Sequence, residues 1–524
     1  MSASPPGSTS GLDFDAIIIG AGLSGMYQLY RARELSLKVR VFEAGTEVGG
    51  TWYWNRYPGA RFDSESYSYG YSFSKELLEE WDWSEHFAGQ PETLRYCKYV
   101  ADKFDLRRDI QFKSRVIAAI YDEDARGWTI TLQDGSRHST RFLITAIGPL
   151  STPTLPRIEG LDSFQGQSFH TARWPKEGVD FKGKRVAVIG TGATGVQTIQ
   201  TIAGEVGHLT VFQRTPNWCA PLHNGKIDAE TQKQIKAGYP ELFRRCQETF
   251  ACFIHTPDPR GAFEVSAEER EAFYEKLYGE RGFGIWQGNF ARKIRQRVKD
   301  PKTAERLIPK NHGFGTRRLP LETHYYEVYN RDNVELVDIK ETPIERLTPT
   351  GIMTSEKEYE FDIIIFSTGF DAITGAFDRI DFRGLDGVRL RDKWKSGPET
   401  YLGLMVHQFP NMMMLMGPHT ALGNIPRSIE YSVDWVTGLI RFARDKGLTW
   451  LEATPEGVMS WTDHVKALGV GLLSNEVDSW MTGINRNIEG KNVRIVARYS
   501  GSAPAYRARC DEVAANGYSE LRLA

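Results

Sequence analysis

The sequence predicts an α/β protein of two parallel-sheet units, with a helical segment inserted into the second. Three observations carry that reading. An apolar run, Phe14–Ile19, meets Gly20-x-Gly22-x-x-Gly25. A second apolar run, starting at Lys184, meets Gly190-x-Gly192-x-x-Gly195. Between residues 216 and 314 the chain is charged, patterned for helices and without strand signals. At 524 residues there is room for three domains of roughly 150 residues each.

The first unit begins with FDAIII, a run apolar enough for a strand buried on both faces. After the glycine turn a helix is expected to about Glu34, then a strand, KVRVFE, that ends on Glu43. Glycines at these positions let the backbone approach a pyrophosphate at a helix N-terminus. An acid at the end of the second strand can accept hydrogen bonds from both ribose hydroxyls. Together these features define a Rossmann-like dinucleotide-binding unit for an unphosphorylated ribose, FAD or NAD. Gly49, Gly50, Thr51 and Trp52 follow, offering close backbone approach and an indole wall. Asp63, taken alone, reads as a turn or N-cap residue. Strands are expected at 116–121, 128–132 and 141–147, which gives this unit an antiparallel insertion.

The second unit repeats the plan, with Thr194 inside its glycine turn and one informative change. Its second strand, Leu209 to Arg214, ends in Gln213-Arg214-Thr215 where the first unit has Glu43. A carboxylate repels a 2′-phosphate, whereas a guanidinium binds one bidentately, so this unit is expected to take NADP. The fold class is therefore two Rossmann-like domains, for FAD and NADP, with a helical insertion. In the insertion, Ser266-Ala-Glu268-Glu269 reads as a capping box, and Phe273 and Leu277 share a helix side. Phe290, Ile294 and Val298 form an apolar stripe whose basic neighbours read as a solvated face. Gly313–Pro320 is a Gly/Pro-bounded loop whose Arg317 and Arg318 suit either a surface patch or a site. EFDIIIFSTGFD supplies a return strand ending near Asp371, and Asn411–Gly417 a buried strand. Trp480 suits a core or a site equally. The expected segments are 12–148 and 382–524 for the first unit, 149–215 and 315–381 for the second, and 216–314 for the insertion.

Composition narrows the function classes. A content of 40% hydrophobic and 25% charged residues is that of a globular protein. A net charge of -2 offers no attraction to nucleic acid or an anionic membrane. No apolar run is long enough to span a bilayer. Met1–Gly11 is Ser/Pro/Gly-rich, reads as a flexible tail, and lacks the basic start of a secretion signal. The five cysteines include no Cys-x-x-Cys pair, which excludes a zinc site and a disulfide framework and suits a reducing cytoplasm. Flavin disulfide reductases share the two-unit plan but need a cysteine pair, so that class is excluded. A monomer or small homo-oligomer is expected.

One string remains: Phe164-x-Gly166-x-x-x-His170-x-x-x-Trp174-Pro175, just upstream of the second glycine turn. It resembles the fingerprint of type I Baeyer–Villiger monooxygenases, and the resemblance runs in order from Gly20 to about Trp480. It implies an enzyme that uses FAD, NADPH and O2 to turn ketones into esters or lactones. In that family O2 adds to flavin C4a, and the peroxide attacks the carbonyl to give a tetrahedral adduct. The resemblance implies catalytic roles for Arg318, which would steady the anionic oxygen, and for Asp63, which would orient it. Arg317 would be a second contact to the NADP phosphate, and Trp480 would cover the nicotinamide. Residues 417–430 would contact flavin and substrate. His170 and Trp174 would couple the two units or simply pack between them. N- or S-oxidising flavin monooxygenases are an alternative, but they carry Phe or Tyr at the end of the fingerprint; sulfoxidation as a side activity is compatible. A flavin-binding redox sensor without turnover is the third reading, and Arg318 and Asp63 argue against it.

Overall fold

The computed structural model describes residues 11–282 and 290–524. The tail expected before Gly11, and residues 283–289 of the expected insertion, lie outside the described residues.

Phe14–Ile19 forms the central strand of the first sheet because Ala16, Ile17 and Ile18 are wholly buried. Each fully buried isoleucine contributes roughly 1.5–3 kcal/mol. Its neighbours are Val39–Phe42 on one side and Arg137–Thr145 on the other, both parallel. The sheet continues outwards to Ile110–Gln111 beyond the former and to Gly127–Leu132 and Val116–Asp122 beyond the latter, with Asp381–Arg383 at the edge. Met412–Met414 also pairs in parallel with Arg137–Thr145. The last of the three antiparallel strands starts earlier than its apolar run, because residues 137–140 pair with Gly127–Leu132. It stops at Thr145, where the carbonyl of Ala146 meets the first glycine turn. Helix Leu23–Glu34 covers one face and packs on Ile425–Asp445. Two hydrogen bonds tie these helices: Tyr27 OH to Asp434 Oδ1 at 2.9 Å, partly buried, and Gln28 Nε2 to Thr437 Oγ1 at 3.1 Å, buried.

The second sheet has five parallel strands in the order Val334–Asp338, His208–Gln213, Arg185–Ile189, Ile363–Phe366, Gln167–His170. In both sheets the chain winds outwards on one side of the strand that leads into the glycine turn and then returns on the other. The crevice at that reversal, beyond the C-terminal strand ends, is where such sheets bind ligands.

Between the units runs a helical segment: Ala229–Glu248, Ala267–Gly279, Phe290–Arg297 and Pro301–Leu307. Ser266 Oγ accepts from Glu269 N at 3.1 Å, and Phe290, Ile294 and Val298 are buried along one stripe. The segment is not free of strands, as the sequence suggested. Ala220–Pro221 pairs in parallel with Leu321–Glu322, a strand too short to show a period. The chain has rejoined the first sheet by Asp381, the last residue expected of the second unit.

Two connections link the sheets, and they are clasped together. Thr154 N donates to Gly369 O at 3.0 Å, Thr368 Oγ1 to Thr154 O at 2.6 Å, and Asp371 N to Thr152 O at 2.8 Å.

Candidate active site

The two glycine turns are near copies. Gly20 and Gly190 take φ of +103° and +108°, in the left-handed half of the map that side chains avoid. A Cβ on Gly20 would sit 2.6 Å from Ala146 O, and one on Gly190 would sit 2.5 Å from Ser367 O. Gly25 and Gly195 are forced by contact with the same turns: their added Cβ atoms would lie 1.9 Å from Gly20 O and 2.2 Å from Gly190 O. Gly22 and Gly192 begin the helices in the extended conformation. Thr194 lies in the first helical turn of the second unit, 3.3 Å from Thr171 Oγ1.

Gly50 has φ +51°, and its added Cβ would meet Gly22 Cα at 2.8 Å. Two backbones without side chains thus face each other at the first turn, which fits the close approach a pyrophosphate needs. Glu43 is buried there, with Oε2 accepting from Ala21 N at 2.8 Å and Oε1 from Gly45 N at 2.6 Å. Burial raises its pKa against those two donors. Each oxygen keeps a lone pair for a ribose hydroxyl. Thr51 and Trp52 open a single helical turn, Thr51–Trp54. The Trp52 indole does not form the open wall its position suggested; it is buried edge-on against Phe62 and Tyr69. Aromatic neighbours ten and more residues downstream claim it, which no local pattern announces.

The structure brings Asp63 and Arg318 together across 255 residues: Arg318 Nη2 donates to Asp63 Oδ2 at 2.6 Å. Three contacts build the pair. Gly59, at φ +79°, lets the 57–61 loop rest on helix Ala193–Ile202, since its Cβ would fall 2.5 Å from Gln197 O. Gln197 fastens that loop, accepting from Tyr57 OH at 2.7 Å and donating to Arg61 O at 3.0 Å. Asn217 Nδ2 donates to Arg318 O at 3.0 Å, fixing the arginine's backbone. Asp63 is nearly buried whereas the Arg318 side chain is 43% exposed, so the guanidinium fronts open space with a shielded carboxylate behind it. Asp63 Oδ1 is buried without a partner. Tyr57, Gln197 and Asn217 carry no motif, and no local pattern marks them.

The fingerprint builds the edge of the second sheet and its junction with the first. Phe164 packs against the apolar cluster that includes Ile364 and Phe366, and a Cβ on Gly166 would strike the Phe164 ring at 2.4 Å and Asp362 O at 2.7 Å. His170 ends the strand, Nδ1 accepting from Ala172 N at 3.0 Å. Its imidazole is buried beside Phe370 and next to the clasped connections, and burial pushes its pKa down to about 4, so it is neutral at pH 7. Trp174 is buried between Phe169 and Phe181, with Pro175 after it.

At the second turn, a Cβ on Gly192 would meet nothing within 4 Å. Arg214 leaves the strand end just after Gln213, and Thr215 O accepts from Thr191 Oγ1 at 3.1 Å. Among the described residues neither Arg214 nor Arg317 has an ion-pair partner, and Arg317 Nε is buried without an acceptor. Burial first, then the charge of Arg214, lowers the Arg317 pKa. Arg214 is open to solvent yet walled by protein, as a side chain lining a crevice is. Two unpaired guanidiniums beside an open glycine turn fit a phosphorylated ribose. Trp480 is half-buried on a single turn, Trp480–Thr482, and is not a core residue.

Residues 15–223 match the flavin-binding monooxygenase-like family. The chain is 47% identical to 2-oxo-Δ3-4,5,5-trimethylcyclopentenylacetyl-CoA monooxygenase of Pseudomonas putida, over 97% of this chain and 98% of that protein. It is 43% identical to the methyl acetate-forming acetone monooxygenase of Gordonia sp. strain TY-5, over 97% and 99%. The crystal structure of OTEMO in complex with FAD and NADP superposes with a TM-score of 0.94 at 46% identity, covering 98% of this chain and 100% of that one. The fold and site are those of a two-dinucleotide flavoprotein monooxygenase. Within that class the chain belongs to the type I Baeyer–Villiger family. Among the described residues no helix is long and apolar enough to cross a membrane.

Proposed function

We propose that this protein oxidises ketones to esters or lactones, using FAD, NADPH and O2, with Arg318 and Asp63 as its catalytic pair. The observation that carries the reading is the 2.6 Å contact between Arg318 Nη2 and Asp63 Oδ2, at the meeting of the two units. Bound FAD, once reduced by NADPH, supplies the activated oxygen. The chain's part is electrostatic. Arg318 stays cationic at any working pH and holds negative charge, first on the attacking oxygen and then on the former carbonyl oxygen. Asp63 anchors Nη2 and the Leu319 carbonyl accepts from Nη1, so the guanidinium is held at both terminal nitrogens while its exposed face meets that oxygen. Because Asp63 is buried and Arg318 is not, the pair is aimed and not cancelled. The first sheet with the Gly20–Gly25 turn, Gly50, Thr51 and Glu43 would hold FAD, whose ribose suits Glu43. The Gly190–Gly195 turn with Thr194, Arg214, Thr215 and Arg317 would hold NADPH. Trp480 would cover the nicotinamide edge, and His170 with Trp174 would keep the units in register. Five buried free cysteines support a reducing cytoplasm.

The test is incubation with NADPH, O2 and a panel of linear, cyclic and aromatic ketones, with products read by mass spectrometry. Ester or lactone carrying one atom of 18O2 is expected. NADPH consumption that ignores the ketone and yields only H2O2 would overturn the proposal.

A further inference from the structure

A third guanidinium approaches the Arg214–Arg317 pair, from a segment the sequence reading did not connect with it. Arg486 lies past the Trp480–Thr482 turn, and the asparagines on either side of it dock that segment on the second unit. Asn485 Nδ2 donates to Phe370 O at 3.0 Å, and Asn487 Nδ2 to Thr368 O at 3.3 Å. Thr368 directly follows Ser367, whose carbonyl abuts Gly190. The two amides thus hold residue 486 over the C-terminal ends of the strands that frame the second glycine turn. The charge of Arg486 reaches both other arginines: after burial it is the cause that lowers Arg214, and it adds to the lowering of Arg317.

Three cations from three elements, the end of His208–Gln213, the Gly313–Pro320 loop and the C-terminal segment, repel one another, and the Asp478 carboxylate, whose charge reaches both Arg317 and Arg486, offsets that repulsion in part. Arg486 is at present drawn to Asp478, Nη2 to Oδ2 at 3.2 Å, with its side chain 69% exposed. Asp478 does not depend on it, because Oδ1 accepts from Arg494 Nε at 3.0 Å. Arg486 can leave without stranding a carboxylate.

We propose that Arg486 is a specificity-determining residue for the reducing cofactor, exchanging Asp478 for the 2′-phosphate of NADP(H) as a third guanidinium beside Arg214 and Arg317. This rests on the reading that those two bind that phosphate. Binding of the phosphate then also fastens the segment that carries Trp480, a link NADH cannot make.

The FAD-loaded, full-length enzyme tests this. KM for NADPH and for NADH is measured in wild type, Arg486→Ala, Arg486→Lys, Asp478→Asn, Arg214→Ala and Arg317→Ala. Arg486→Ala is expected to raise KM for NADPH about 5- to 10-fold, the range for a charge-assisted contact at a partly exposed site, while KM for NADH moves less than twofold. Arg486→Lys is expected to recover part of the loss, and Asp478→Asn to lower KM for NADPH by releasing the arginine. If Arg486→Ala shifts both cofactors equally, or neither, while Arg214→Ala abolishes the preference for NADPH, the inference fails and the phosphate site stands. If Arg214→Ala and Arg317→Ala leave the preference intact, the phosphate site itself is misassigned and the inference falls with it.

Discussion

Arg318 and Asp63 are separated by most of the second unit, yet the chemistry is expected to turn on the 2.6 Å between them. Replacing Arg318 with Ala removes the only permanent cation from that contact. Ester formation is expected to fall by about 10²–10³, the usual cost of a lost oxyanion donor, while NADPH still bleaches the flavin in anaerobic stopped flow. Asp63→Asn keeps the volume and removes the charge that aims the guanidinium. It is expected to lower kcat for ester formation by about tenfold or more with bound FAD unchanged, read from product formation against the flavin absorbance. Sequence spacing named both residues only through family resemblance; by themselves they read as a turn aspartate and a basic patch. Glu43 and Arg214 were different. Their opposite charges at equivalent strand ends could be read directly, because strand, turn and helix fix where the residue after the second strand must point. The Trp52 indole could not, since its direction depends on Phe62 and Tyr69.

Elements were legible in proportion to how local their causes are. Phe14–Ile19 is legible to the residue, because a run of Ala16 and three isoleucines ends at a glycine whose positive φ and close backbone contact exclude a side chain. Arg137–Thr145 begins before its apolar run, because its polar first half is held by strand pairing and by Asp13, Phe14 and Phe42, partners distant in sequence. The fingerprint string had no structural explanation at the level of sequence and has one in the fold. Gly166 is required by the Phe164 ring two residues before it and by the Asp362 carbonyl, which lies far along the chain and beyond any local rule. Gly166→Ala is expected to cost about 1–3 kcal/mol of stability through overpacking, seen as a lowered unfolding temperature with FAD content retained. Gly190→Ala, which adds a Cβ 2.5 Å from Ser367 O at φ +108°, is expected to abolish NADPH-driven flavin reduction; dithionite still reduces the bound FAD.

Across the whole molecule, four buried histidines set an acid limit; burial lowers His86 as well as the three that follow. His170, His312 and His419 are each pushed down to about 4 by burial. In the unfolded chain they take up a proton near pH 6.5, so between pH 6.5 and 4 the unfolded state binds more protons and stability falls as pH falls. The loss is on the order of 1–2 kcal/mol per histidine by pH 5. Thermal unfolding of the FAD-loaded enzyme followed from pH 8 to 5 is expected to hold steady above 6.5 and drop below it. His419→Asn should make that descent shallower.

The paired connections at Thr154 and Gly369 carry a mechanical consequence. Chains that cross separately would let the two sheets swivel and shear independently. Stitched side by side they form one seam with His170 beside it, which resists independent swivelling of the two sheets. Any swing about that line would part Arg318 from Asp63, so an intact pair marks the two sheets as drawn together.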